Sequence, residues 1–187
     1  MTAEDGLLAI ALEVGACTKC PLHESRTRAV PGEGPSDARV VIIGEGPGSS
    51  EDREGRPFVG AAGQNLQALL TIAGLKREGV FITNVVKCRP PGNRRPAKSE
   101  ADACYQYLRR QIELIDPEVV VLLGDTALKQ FFPGSSLGAM HGKPATRSQR
   151  TFFPTYHPAS MIYNRELKDV LDEDFGKLGR LLGTLPG

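Results

Sequence analysis

Three short, uninterrupted apolar runs constrain the fold of this chain more than any other feature. They are RVVIIGE at 39–45, VFITNVV at 80–86 and VVVLLGD at 119–125, and each is rich in β-branched residues. Runs of this length, without polar alternation, are typical of strands that are buried on both faces of a parallel sheet. A shorter fourth strand is predicted at 151–154.

Segments with helical apolar spacing lie before and between these strands. The predicted helices cover 6–14, 63–73, 100–115, 126–131 and 167–182. Because strands and helices alternate, we expect an α/β protein: a three-layer α/β/α arrangement around a central, mostly parallel four-stranded sheet, with 1–187 as a single domain. Ligands bind at the carboxyl ends of the strands in such sheets, so the residues that follow each run are the candidates for function.

The net charge excludes a wholly polybasic protein, because 23 Lys and Arg balance 22 Asp and Glu. No apolar run approaches the roughly 20 residues of a membrane span, and the short apolar stretch at 7–12 lacks a basic leader, so we expect a cytoplasmic protein. Segment 79–99 nevertheless carries five basic residues and no acidic one: Lys87, Arg89, Arg94, Arg95 and Lys98. Such a loop is either simply solvated or contacts nucleic-acid phosphates.

Four cysteines have a spacing that suits a metal site. Cys17 and Cys20 form a C-x2-C pair, whereas fifteen residues separate Cys88 from Cys104. Reduced cytoplasmic thiols can bind tetrahedral zinc or a [4Fe–4S] cluster. Zinc ribbons prefer two close pairs, so the wide second pair favours the cluster, with zinc and four unconnected thiols as the alternatives.

A glycine-rich turn, GEGPG at 44–48, follows the first predicted strand. Ser49 stands where a dinucleotide-binding fingerprint needs glycine, and the lysine of a P-loop is absent. The turn therefore predicts a backbone-lined concavity with one acid, Glu45, at a strand end. Phe58 lies among turn formers in GRPFVG at 55–60, and is either a core residue or part of this site.

Two polar residues are placed at the ends of other predicted strands. Asn84 lies inside the second apolar run, where an amide is costly unless it is hydrogen-bonded, and this makes it the best single indication of a bound ligand. His157 follows the fourth strand and precedes a proline. A lone strand-end histidine is more often structural, so its functional interpretation depends on the company of Glu45, Phe58 and Asn84.

In combination these motifs resemble family 4 uracil-DNA glycosylases, the bacterial and archaeal iron–sulfur branch. The resemblance extends from Cys17 to Met161 and includes TNVVKCRPP at 83–91 and HPAS at 157–160. It implies a uracil-DNA glycosylase-like fold and a DNA repair enzyme. This enzyme would flip uracil out of single- or double-stranded DNA and hydrolyse its N-glycosidic bond, leaving an abasic site.

The resemblance also implies roles for individual residues. Phe58 would stack on the flipped base, Asn84 would bind its N3–H and O4 edge, and His157 would donate to O2. The implied substrate-binding residues are Gly44, Glu45, Gly46, Phe58, Asn84 and His157, of which Glu45, Asn84 and His157 would be catalytic.

Cofactor and DNA contacts follow from the same resemblance. The ligands of the [4Fe–4S] cluster would be Cys17, Cys20, Cys88 and Cys104. The DNA contacts would be Lys87, Arg89, Arg94, Arg95, Ser160 and Met161, with Met161 as an apolar wedge in the vacated stack. We expect a monomer that has uracil-containing DNA as its partner and does not associate with membranes.

The chain departs from the broader glycosylase pattern in its first motif. The water-activating Asp and the Tyr that excludes thymine are absent from GEGPG at 44–48, which makes Glu45 the candidate for orienting water or stabilising the sugar cation. Two alternatives come from other functional classes. An iron–sulfur redox or electron-transfer protein would account for the cysteines alone, and a non-catalytic DNA-binding domain of the same fold would not need Glu45 and His157.

Overall fold

One five-stranded sheet forms the centre of the computed structural model, which describes residues 2–185. The strands are β1 (Val40–Gly44), β2 (Phe81–Asn84), β3 (Val119–Leu123), β4 (Ala145–Arg147) and β5 (Arg150–Thr155). Their order is β2-β1-β3-β5-β4. All neighbours are parallel except the edge pair β5 and β4, which is antiparallel. The mostly parallel sheet that the apolar runs predict is therefore confirmed.

Helices connect the strands and cover both faces of the sheet. They are α1 (Ala3–Ala16), α2 (Leu22–Ser25), α3 (Ser49–Glu54), α4 (Ala61–Ile72), α5 (Lys98–Ile115), α6 (Asp125–Phe131), α7 (Leu137–Met140), α8 (Ser160–Tyr163) and α9 (Glu166–Thr184). None of the helices within residues 2–185 combines the length and the hydropathy that a bilayer span needs.

The prediction of four strands is wrong by one, because β4 has no apolar run. Its three residues are exposed or half-buried, and it pairs with β5 only at the edge of the sheet. The two strands are joined by Ser148 and Gln149, both with positive φ (50° and 62°), as a tight two-residue hairpin requires. Ser-Gln is not the Asn-Gly type of signal that marks such hairpins in a sequence, so the turn was not recognisable.

Alternate residues of β1 pack into different core layers. Val41 and Ile43 belong to the cluster formed with α1 and α5, whereas Val40 and Ile42 belong to the cluster formed with α4 and α9. All four side chains are buried. A strand that is buried on both faces explains its continuous apolar sequence and confirms the three-layer α/β/α arrangement.

The carboxyl ends of the parallel strands meet at one edge of the sheet. Gly44 at the end of β1 lies in register with Asn84 at the end of β2. On the other side of β1, Gly124 donates to the carbonyl of Thr155 at the end of β5, with an N–O distance of 2.9 Å. The loops that follow β1, β2 and β5 are thereby brought to a common cavity.

Candidate active site

Most of the predicted pocket residues line one cavity at this edge of the sheet. Glu45, Gly46, Phe58, Asn84 and His157 all contribute to its wall, although they are up to 112 positions apart in sequence (45 to 157). Sequence reasoning grouped them from their strand-end positions, and the structure brings them together.

Asn84 presents a buried hydrogen-bond acceptor that has no partner. The residue is 2% exposed, and its Oδ1 makes no hydrogen bond with any residue that the structure describes. Gly44 leaves room for it, since a Cβ at position 44 would lie 2.5 Å from Asn84 Oδ1 and 2.7 Å from Phe58 Cζ. Burial without a partner is costly for an amide oxygen, so this atom fits a ligand that brings an N–H donor.

His157 is held as a neutral imidazole with a defined tautomer. Its Nδ1 accepts a hydrogen bond from the backbone N–H of Ala159 at 3.1 Å, which leaves Nε2 to carry the proton. Burial lowers the pKa of His157 from 6.5 to about 4, with Glu51 opposing the shift. The ring is stacked on Phe58, with 5.5 Å between the ring centroids and 25° between the planes. The cavity therefore has an Nε2–H donor that does not become charged near neutral pH.

Glu45 is fixed by a contact from the helix that follows β3. The hydroxyl of Thr126 in α6 donates to Glu45 Oε2. Glu45 itself follows β1, so this bond joins the turn after β1 to the helix after the neighbouring strand β3. It holds a carboxylate at the wall of a pocket that also contains the His157 imidazole.

Glu51, which sequence reasoning missed, organises the turns on either side of the cavity. Its carboxylate accepts hydrogen bonds from the backbone N–H groups of Gly48, Val59 and Gly60, each at 3.1 Å. The spacing of Gly48 and Glu51 is that of a helix N-terminal capping box, so the first bond had a sequence signal. The bonds to the turn after Phe58 had none, because they span eight and nine residues.

The chain is similar to known glycosylases over almost its whole length. The family model described as the uracil DNA glycosylase superfamily matches residues 31–177. A type-4 uracil-DNA glycosylase of Sulfurisphaera tokodaii is 48% identical over 190 residues, covering 96% of this chain and 86% of the relative. A type-4 uracil-DNA glycosylase of Thermotoga maritima is 46% identical, covering 94% of each chain. The chain belongs to the type-4 uracil-DNA glycosylase family.

One predicted DNA contact of this glycosylase is wrong. Lys87 does not lie on the surface, because its side chain is 1% exposed. Its ammonium group donates to the Thr83 hydroxyl, to Gln111 Oε1 at 2.7 Å and to the Asn84 carbonyl at 3.0 Å. Lys87 therefore supports the strand that carries Asn84 and cannot reach a phosphate outside the protein.

The other basic residues of the glycosylase loop are at the surface, where tertiary contacts partly balance their charge. Arg94 and Arg95 are exposed at the cavity mouth. Arg94 makes a two-pronged ion pair with Glu100 at 2.8 and 2.9 Å, and Arg95 lies 3.5 Å from Asp125. The half-buried Arg89, in contrast, donates to the neutral Asn93. Although segment 79–99 contains no acidic residue, acidic residues from outside it therefore balance part of its positive charge.

The glycosylase residues after His157 form a short turn and the helix α8. The Ser160 hydroxyl donates to the His157 carbonyl at 2.6 Å, so it closes the turn. Met161, the predicted wedge, is partly buried against the core cluster of α4 and α9. Tyr163 instead is 88% exposed and lines the cavity mouth. No sequence pattern distinguished Tyr163 as an exposed residue at the cavity mouth.

The four cysteines of this glycosylase line one small cavity, which shares no lining residue with the pocket. Burial raises the pKa of Cys104 to about 11, and Arg26 donates to Cys88 Sγ at 3.1 Å. Among residues 2–185, however, no three Cys, His, Asp or Glu side chains are close enough to hold a single metal ion. The structure thus brings the four thiols to one cavity without placing three of them around a single ion.

Proposed function

We propose that this protein removes uracil from DNA by hydrolysing its N-glycosidic bond, and that the cavity lined by Glu45, Phe58, Asn84 and His157 is the active site. Family membership supports the activity. The observation that carries the site assignment is the buried, unpartnered Oδ1 of Asn84 at the carboxyl end of β2.

The Asn84 amide matches the edge of uracil that distinguishes it from cytosine. Its oxygen accepts from the N3–H group of uracil, and its amino group donates to O4. Cytosine presents an unprotonated N3 and an amino group at these positions, so both pairings would be repulsive. A buried site that is built for one hydrogen-bond pattern rejects the opposite one strongly, because polar groups on both sides stay unpaired.

His157 stabilises the charge that develops on the leaving base. As the bond between C1′ and N1 breaks, its electron pair moves onto the uracil ring and O2 becomes negative. The neutral Nε2–H of His157 donates to O2, as preorganised donors do at other developing anions. Phe58 stacks on the ring and, with the backbone of Gly44 and Gly46, fixes its plane.

Glu45 acts on the sugar side of the same bond. Its carboxylate, held by Thr126, orients the attacking water and stabilises the cationic sugar. The water oxygen forms the new bond to C1′, and the proton that it loses passes to the carboxylate and then to the released uracil anion. The products are uracil and an abasic site.

Basic residues at and near the cavity mouth bind the DNA. The exposed Arg94 and Arg95 and the half-buried Arg89 contact phosphates, and the turn at Ser160 approaches the strand that carries the flipped base. Met161 contributes to the wedge from its partly buried position, with the exposed Tyr163 beside it at the cavity mouth.

The cofactor proposed for the cysteine cavity is a [4Fe–4S] cluster that Cys17, Cys20, Cys88 and Cys104 would hold, and membership of the type-4 family supports it. When bound, it cross-links three parts of the chain and supplies no step of the hydrolysis. Within residues 2–185 the four cysteines form no disulfide.

Release of uracil from a uracil-containing oligonucleotide, followed by alkaline strand cleavage, tests the activity, and Asn84→Asp tests the site. A carboxylate cannot donate to O4, so we expect the ratio of the single-turnover rates on uracil and cytosine to fall at least tenfold. Asn164→Asp makes the same chemical change on an exposed residue and should leave the ratio unchanged. An unchanged ratio in Asn84→Asp would remove Asn84 from base recognition, and an inactive wild-type protein would favour the redox or non-catalytic alternatives.

A further inference from the structure

The backbone of Phe58 has a conformation that a bulky residue rarely adopts. Its φ is 49°, in the left-handed region. Such conformations persist only where the surroundings impose them. One restraint comes from α4, because a Cβ at Gly63 would lie 1.9 Å from the Phe58 carbonyl oxygen. The helix therefore packs directly against this peptide.

A second restraint comes from Arg77, which is not among the residues that line the cavity. Its guanidinium donates to two successive carbonyl groups, to that of Phe58 at 2.9 Å and to that of Pro57 at 2.5 Å. A planar group that binds both carbonyls fixes the orientation of the peptide between them, and with it the direction in which the Phe58 ring leaves the backbone.

Arg77 is itself held by Glu33. Nη2 of Arg77 donates to Glu33 Oε1 at 2.9 Å, and Arg56 binds both oxygens of the same carboxylate at 2.8 and 3.1 Å. Although burial opposes ionisation, the hydrogen bonds from the two arginines keep the pKa of Glu33 below its ordinary value, so the carboxylate is charged at neutral pH.

The backbone of Glu33 joins the Glu33–Arg77 ion pair to β2, the strand that carries Asn84. Glu33 N–H donates to the Ile82 carbonyl at 3.0 Å, and Ile82 N–H donates to the Glu33 carbonyl at 2.8 Å. Ile82 lies two residues before Asn84 in β2. Arg77 and Glu33 thus connect the backbone of Phe58, the stacking residue, to β2, the strand that carries Asn84.

We propose that Arg77 is a positioning residue that holds Phe58 in the orientation that stacks on uracil, and that Glu33 holds Arg77. This inference rests on the proposed function, because it requires Phe58 to contact the base. It adds a residue outside the cavity to those that determine affinity for the base.

Affinity for free uracil in a double-mutant cycle tests the inference. Arg77→Gln should weaken binding of free uracil by about tenfold. Phe58→Ala should weaken it at least as much, and the double variant should bind uracil no more weakly than Phe58→Ala alone, because Arg77 acts through Phe58. Losses that add in the double variant would overturn the proposal.

The matched control is Arg39→Gln, which removes a two-pronged ion pair with Glu118 away from the cavity. It should leave affinity for uracil unchanged. Arg77→Lys keeps the charge beside Glu33 but cannot hold both carbonyls in one plane, so it should give an intermediate affinity. If Arg77→Gln does not fold, Arg77→Lys and Glu33→Gln provide the same comparison.

The single variants test the stacking role of Phe58 and the positioning role of Arg77 separately. If Phe58→Ala leaves affinity for uracil unchanged, the proposed stacking role is wrong. If Phe58→Ala weakens binding while every folded Arg77 variant binds like the wild type, the stacking role stands and the positioning role of Arg77 is wrong.

Discussion

At the scale of single residues, His157 depends most on its environment. A histidine at the surface would be half-charged at pH 6.5, and a cation would interact differently with a departing uracil anion. Burial in the wall of the cavity, next to Phe58, lowers the pKa of His157 to about 4. The neutral donor state is thus a property of the folded protein.

The pH dependence of the reaction follows from this shift. We expect the single-turnover rate to show no loss from His157 as the pH falls through 6.5, with the loss due to its protonation centred near pH 4. His157→Ala should reduce the rate by about 10²–10³-fold. A protonation step near pH 6.5 that is absent from His157→Ala would contradict the assignment.

The same shift gives the sign for stability. Between pH 6.5 and about 4 the unfolded chain binds a proton at His157 that the folded protein does not bind, so the free energy of unfolding decreases as the pH falls through this range. Denaturant unfolding of wild-type protein and His157→Ala at pH 7 and pH 5 should show a smaller decrease in the variant.

At the scale of elements, the contact of α4 with the turn before it shapes the pocket. Glycine inside a helix normally costs stability, and Gly63 occupies the third position of α4. Glycine is needed at position 63 because α4 lies so close to the Phe58 carbonyl oxygen that there is no space for a methyl group.

Gly63→Ala should therefore lower the melting temperature and weaken binding of free uracil, although alanine is the better helix former. The control is Gly183→Ala in α9, because a Cβ there has no neighbour within 4 Å. We expect Gly183→Ala to leave uracil binding unchanged and to melt at the wild-type temperature or above. Equal melting temperatures for the two variants would show that α4 can move away from Phe58 at no cost.

At the scale of the whole molecule, the charge balance and the cysteines depend on contacts between distant elements. Lys98 pairs with Asp102 in its own helix, but Arg95 finds Asp125 thirty residues away. Acidic residues of α5 and α6 thus neutralise part of the positive charge of segment 79–99. The near-zero net charge of the chain does not indicate the charge of any one surface.

The cysteine cavity joins the chain near α1 to the region after β2 and to α5. On the cluster assignment proposed above, Cys20→Ala should lose bound iron and visible absorbance and should melt at a lower temperature, because α1 would lose a covalent link to the rest of the fold. Thr18→Ala, an exposed residue between the two cysteines, is the control and should keep its iron. Full iron content in Cys20→Ala would exclude Cys20 as a ligand.

The sequence alone determined the α/β fold, the strand ends at which Asn84 and His157 lie, and the family. These features follow from local apolar runs and from motifs a few residues long, which need no knowledge of distant parts of the chain. The tertiary structure decided the burial of Lys87, the hairpin to β4, the neutral state of His157 and the bonds of Arg77 to the Phe58 turn. Each of these depends on which residues from elsewhere in the chain desolvate a group or bind it, and the spacing of residues in a sequence does not contain that information.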